Sequence, residues 1–119
     1  MAIVTEMVVV GVALLHVYFL ILEMFLWNKP KGLQVFGHSL EHANATKVLA
    51  ANQGLYNGFI AAGLVWGLLQ GHAGFENKLF FLCCVLVAGI FGGLTASKKI
   101  LYVQAIPGLV GLVLVVISN

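Results

Sequence analysis

Residues 3–27 read IVTEMVVVGVALLHVYFLILEMFLW, an apolar run that carries Glu6 near its start and His16 and Glu23 within it. A transmembrane helix needs about 20 apolar residues, so this stretch is long enough to cross a bilayer. An ionisable group inside such a span costs roughly 2.5–3.5 kcal/mol on insertion scales. A chain that keeps His16 and Glu23 there uses them, or at least pairs them. The run is too long for the apolar region of a signal peptide and has no A-x-A site before its end. It is expected to remain as a helix and to act as its own insertion signal.

The rest of the chain has the same character. Its 119 residues are 61% hydrophobic and 8% charged, with a mean hydropathy of +1.05. A soluble domain carries about 25% charged residues. A soluble fold of this length could not hide so much apolar surface, whereas lipid solvates it. One integral membrane domain over residues 1–119 is expected. The net charge of +2 is too small to point to nucleic acid. All the basic side chains are lysines, placed at segment ends where their stems reach the interface.

Four spans are predicted, at approximately 3–27, 47–69, 78–96 and 100–117. The breakers between them are Asn28-Lys29-Pro30-Lys31-Gly32, Gln70-Gly71-His72-Ala73-Gly74 and Ser97-Lys98-Lys99. Two of these turns are short, so consecutive helices should be antiparallel neighbours. The fold class is therefore all-α, an antiparallel four-helix transmembrane bundle. Lys29, Lys31, Lys47, Lys98 and Lys99 fall on one side and Lys78 on the other. This bias places loops 28–46 and 97–99 in the cytoplasm and both termini outside. In the long first loop, Ser39 has the character of an N-cap, with Glu41 in the first turn of the helix that follows.

Helical spacing then groups the chemistry. Residues seven apart nearly share a face, so His16, Glu23 and Trp27 line one stripe of the first span. At 1.5 Å per residue, Glu23 lies about 6 Å inside the Trp27 level and His16 about 16 Å inside it. The second span runs the other way. Counted from Lys47, Asn52 and Gln53 lie about 8–9 Å in, and Tyr56 and Asn57 about 14–15 Å in. Glu23 should then meet Asn52 and Gln53, and His16 should meet Tyr56 and Asn57. Thr95 and Gln104 fall near the Glu23 level, as residues that support the site. The expectation is a polar pocket open toward the cytoplasmic half. A carboxyl in that setting is suited to proton exchange near neutral pH.

Other readings compete. Interhelical hydrogen bonds contribute roughly 0.6–2 kcal/mol each and need no function. Small residues recur at Ala50, Gly54, Gly58 and Ala62, and at Gly89, Gly93 and Ser97, which suits close helix packing or dimerisation. Pro107 and Gly108 should kink or loosen the fourth span. Cys83 and Cys84 are adjacent, a spacing poorly suited to a disulfide, and read as a pair of buried small hydrophobes. His38-Ser39-Leu40-Glu41-His42 matches the H-x-x-E-H zinc pattern. That pattern needs both histidines on one helical turn, and a cap at Ser39 leaves His38 outside, so no metal site is assigned. P-loop, G-x-S-x-G and Rossmann signatures are missing from the sequence.

The segments LHVYFLILEMFLW and TKVLAANQGLYNGFIAAGL are distinctive. They resemble a family of small bacterial membrane proteins known as a domain of unknown function, DUF1304. The strongest points are His16, Glu23 and Trp27, and the string from Asn52 to Asn57. The resemblance implies four membrane helices in the bacterial inner membrane, marks the same polar residues and supplies no reaction. Three functions stay open. The first is proton-linked binding or transport of a small molecule, with Glu23 exchanging the proton and His16, Asn52, Gln53, Tyr56 and Asn57 lining the site. The second is an embedded isomerase or quinone-linked enzyme using His16 and Glu23 as acid and base. The third is a structural or assembly subunit. The bilayer, a small-molecule ligand and a second copy of the chain are the candidate partners. No cofactor is assigned.

Overall fold

A computed structural model describes residues 2–119. These residues are all-α and include no strand. Helix α1 spans Ala2–Met24, α2 Pro30–Phe36 and α3 Leu40–Leu69. A 3-10 turn over Gly71–Gly74 leads into α4, Phe75–Thr95. The last stretch is continuous: α5 covers Lys98–Ile100, a π turn Leu101–Ala105 and α6 Ile106–Ser118.

Among the described residues, three helical stretches are long and apolar enough to cross a membrane: Ala2–Met24, Gly71–Thr95 and Lys98–Ser118. Helix α3 contains the second of the four spans expected, 47–69. It has ample length at 30 residues. Its apolarity falls short because Asn52, Gln53, Tyr56 and Asn57 interrupt it.

The chain forms two compact units, one built from the chain up to Ala13 with Ile60–Asn119, and one from Leu14–Phe59. The first unit holds an apolar core. Val9, Val12, Ala13, Leu64, Leu82, Val85 and Val115 are buried at its centre. They come from α1, α3, α4 and α6, so four helical segments share one core. Helices α4 and α6 run antiparallel: Val85 faces Gly108, and Leu82, one turn earlier, faces Gly111, one turn later. Gly89 sits directly on the Ala105 backbone, with no room for a Cβ. The Thr5 hydroxyl lies 2.6 Å from that of Ser118, which links the first turns of α1 to the last turn of α6.

Pro107 was expected to disturb the final span, and the disturbance falls one turn earlier. Proline has no N–H for the carbonyl four residues back, and its ring crowds that carbonyl, here on Val103. The helix accommodates it by widening into the π turn at Leu101–Ala105 rather than breaking.

The second unit pairs the later half of α1 with the earlier half of α3. Gly58 faces Leu20, and Gly54 faces Glu23 and Met24, so these helices are also antiparallel. Here the small-residue stripe is used within the chain. The connection contains α2, which was not anticipated. Pro30 opens it at a position where a missing N–H costs nothing. Gly37 closes it at φ 65°, a left-handed conformation that favours glycine. Ser39 caps α3 as expected: its Oγ accepts a hydrogen bond from His42 N at 3.1 Å.

Candidate functional site

The polar centre of Leu14–Phe59 holds a hydrogen bond between helices α1 and α3. Asn57 Nδ2 donates to Glu23 Oε1. Both residues are half-buried. The α3 face toward α1 repeats at helical spacing through Ala50, Gly54, Asn57 and Gly58. The two glycines bring the backbones close, and the amide then reaches the carboxyl.

Depth counting paired Glu23 with Asn52 and Gln53, and the structure moves that pairing one turn further in. The cause is the end of α1 at Met24. Beyond it the chain turns tightly, with Phe25 N and Leu26 N both donating to the Ile21 carbonyl, so the helical rise does not run on to Trp27. Trp27 is therefore no gauge of the depth of Glu23, which meets Asn57 instead. Asn52 and Gln53 are exposed. Tyr56 is 54% exposed, with its ring 5.9 Å from that of Phe59. Where a polar pocket open toward the cytoplasmic half was expected, the structure has a paired carboxyl and amide beside an outward ridge of Asn52, Gln53 and Tyr56. The period of α3 carried this information: residues 52, 53 and 56 fall off the stripe that Gly54 and Gly58 define.

His16 is fully buried, and its ring meets Phe19 edge-on at 5.5 Å. Seven residues of helix separate it from Glu23, about 10 Å along the axis.

Trp27 does not continue the His16–Glu23 stripe, again because α1 has ended. It belongs to a separate aromatic cluster at the connection. Its indole Nε1 donates to Thr46 Oγ1 at 3.0 Å. Its ring lies 4.7 Å from Phe36 and 4.4 Å from His38. His38 Nε2 is 3.3 Å from the Trp27 carbonyl oxygen, and the His42 ring is 5.6 Å from that of His38. Asn28 and Asn44 bridge the same connection, Nδ2 to Oδ1, at 3.0 Å. Thr46, Asn28, Asn44 and Phe36 were not singled out from the sequence. The tight turn after Met24, which folds them together, leaves no periodic signal. His38 lies before α3, so the H-x-x-E-H residues do not share a helical turn. No three His, Cys, Asp or Glu side chains among the described residues are arranged to hold a metal ion.

Thr95 and Gln104 belong to the other unit. Thr95 is exposed and donates to the Phe91 carbonyl at 2.7 Å. Gln104 is half-buried in the π turn. The cysteines also differ from expectation: Cys83 is exposed and Cys84 half-buried, both as free thiols. They face outward along α4 with Phe80, Val87 and Phe91.

Chemically, the Glu23–Asn57 pair can exchange one proton and can hold an amine or hydroxyl. The ridge adds amide donors and acceptors and a phenol.

A family model described as a protein of unknown function (DUF1304) matches residues 10–116. The chain is also similar to the uncharacterized protein YpaA of Lactococcus lactis subsp. lactis (strain IL1403). They share 32% identity over 106 residues, which cover 87% of this chain and 89% of YpaA. No solved structure gives a significant match.

Proposed function

The chain belongs to the DUF1304 family, and from that premise we propose that it is an integral membrane protein of four spanning helices that binds or transports a small molecule with proton exchange at Glu23. Three helices with the length and apolarity to cross a membrane support insertion. In this reading α3 also spans the membrane, and its polar residues are the reason it falls short on apolarity alone. The lysine bias supports loops 28–46 and 97–99 in the cytoplasm.

The observation that carries the proposal is the Asn57 hydrogen bond to Glu23, made between two helices brought together by glycines. The exposed Asn52, Gln53 and Tyr56 are reachable by a ligand beside that pair. His16, fully buried against Phe19, is better suited to support α1 than to touch substrate. The acid–base enzyme reading loses weight accordingly.

The test separates charge from shape. Glu23→Gln keeps an oxygen that accepts from Asn57 but cannot exchange a proton. Native mass spectrometry on gently extracted protein, wild type beside Glu23→Gln, should show a co-purified small molecule in the first and its loss in the second. Equal spectra from two correctly inserted proteins would overturn the proposal.

A further inference from the structure

A second polar site lies in the other unit, where the first turns of α1, the Gly71–Gly74 turn, the start of α4 and the end of α6 surround a cavity of about 230 Å³. Its walls include Thr5, Glu6, His72, Lys78 and Ser118. Lys78 is the unusual member, since a lysine is almost never buried without a partner. Here it is 9% exposed. Three glycines hold it there. Gly67 has no side chain, so the Lys78 stem lies across it; a Cβ there would stand 2.7 Å from Lys78 Cγ. Gly74 packs on the Gly67 backbone and fixes the approach of the turn. Gly71, at φ 60°, presents its carbonyl to Lys78 Nζ at 3.4 Å. An ammonium has three protons to donate, and that one long contact is a weak use of them. The remaining donors belong to a cavity wall that also carries the Glu6 carboxyl.

We infer that this cavity binds a phosphoethanolamine group, with the phosphate on Lys78 and the ammonium on Glu6. An anion alone would gain from Lys78 but meet Glu6. A zwitterion of that polarity gains from both. The Thr5 and Ser118 hydroxyls, hydrogen-bonded to each other, add a neutral polar patch to the wall. The volume, roughly seven or eight waters at ~30 Å³ each, leaves room for such a group. If α1, α4 and α6 span the bilayer as proposed above, the cavity lies at the level of lipid headgroups. Phosphatidylethanolamine is then the natural source, and free phosphoethanolamine is the alternative.

The experiment measures protection against thermal unfolding in detergent by three probes: short-chain phosphatidylethanolamine, short-chain phosphatidylglycerol and free phosphoethanolamine. Phosphatidylethanolamine should protect the wild type. Lys78→Gln should weaken that protection at least tenfold, and Lys78→Arg should retain most of it. Glu6→Gln should remove the preference over phosphatidylglycerol. Equal protection by free phosphoethanolamine assigns the site to a soluble ligand and keeps its chemistry. No protection by either amine-bearing probe overturns the inference, as does protection unchanged in Lys78→Gln. Should Lys78→Gln fail to fold, Ala2→Trp, which fills the cavity and leaves Lys78 in place, must abolish protection for the inference to stand. Resistance of the protein to extraction from membranes by alkaline wash tests insertion separately, so the two proposals fail independently.

Discussion

In the unit built on α4 and α6, helices meet through Leu82, Val85 and Val115, with Gly89 against the Ala105 backbone. In Leu14–Phe59, α1 and α3 meet through Gly54, Gly58 and the hydrogen bond from Asn57 to Glu23. Both contacts rely on glycine to bring backbones together, but what fills the remaining space differs. Valine and leucine fill it in the first and offer a ligand nothing to recognise. A carboxyl and an amide fill it in the second, with Asn52, Gln53 and Tyr56 exposed nearby. The second contact thus includes one group, the Glu23 carboxyl, that can exchange a proton. The proposed proton-exchanging site rests on that difference.

The comparison breaks most readily at Gly89. A Cβ there would collide with backbone atoms of Ala105, which cannot rotate away as a side chain can. Overpacking costs about 1–3 kcal/mol, and a leucine in this position should reach the top of that range. Gly89→Leu is expected to lower the thermal midpoint more than any other change considered, with α4 and α6 separating first. Amide exchange along α4 checks it: protection near Gly89 equal to wild type would show that this contact is not what holds the pair.

Asn57→Leu tests the polar contact. It removes the donor and leaves the Glu23 carboxyl against a hydrocarbon side chain. Interhelical hydrogen bonds in membranes contribute roughly 0.6–2 kcal/mol, so the loss should be smaller than for Gly89→Leu. Glu23→Leu combined with Asn57→Leu should recover much of it, because replacing both partners by apolar groups is close to neutral. The double variant should then be stable and empty of ligand. A double variant as unstable as Asn57→Leu would show that the polar pair is structural and would weaken its assignment as a site.

The two regions also differ in how legible they were. The α4–α6 pair follows from Gly89 and Gly93 at four-residue spacing and from the short Ser97-Lys98-Lys99 turn. The choice of Glu23 and Asn57 as interesting residues followed from the cost of polar groups in an apolar span. Their pairing did not follow, because depth was counted through Trp27, beyond the point where α1 ends. Hydrophobicity cannot mark that end, since Phe25, Leu26 and Trp27 are as apolar as the helix before them. The Lys78 cavity was illegible for another reason: it joins residues more than 100 positions apart, such as Thr5 and Ser118, through packing that no local pattern encodes.

The smallest effect expected is at Ser39, and it sharpens the comparison within the second region. Ser39 Oγ accepts from His42 N at the start of α3. Ser39→Ala should cost about 1 kcal/mol, the usual value of such a cap. Helix ends fray locally, so the loss should appear in amide exchange at His42 and Ala43. The Trp27–Thr46 hydrogen bond lies one turn further along and ties α3 to the connection, which should confine the fraying. Asn57 is 18 residues from Ser39, about five helical turns away, and its pairing with Glu23 should be unaffected. Ligand retention equal to wild type is therefore expected beside measurably faster exchange at the cap. Loss of ligand in Ser39→Ala would mean that the aromatic connection and the Glu23–Asn57 contact open together, making the connection a working part of the site rather than its anchor.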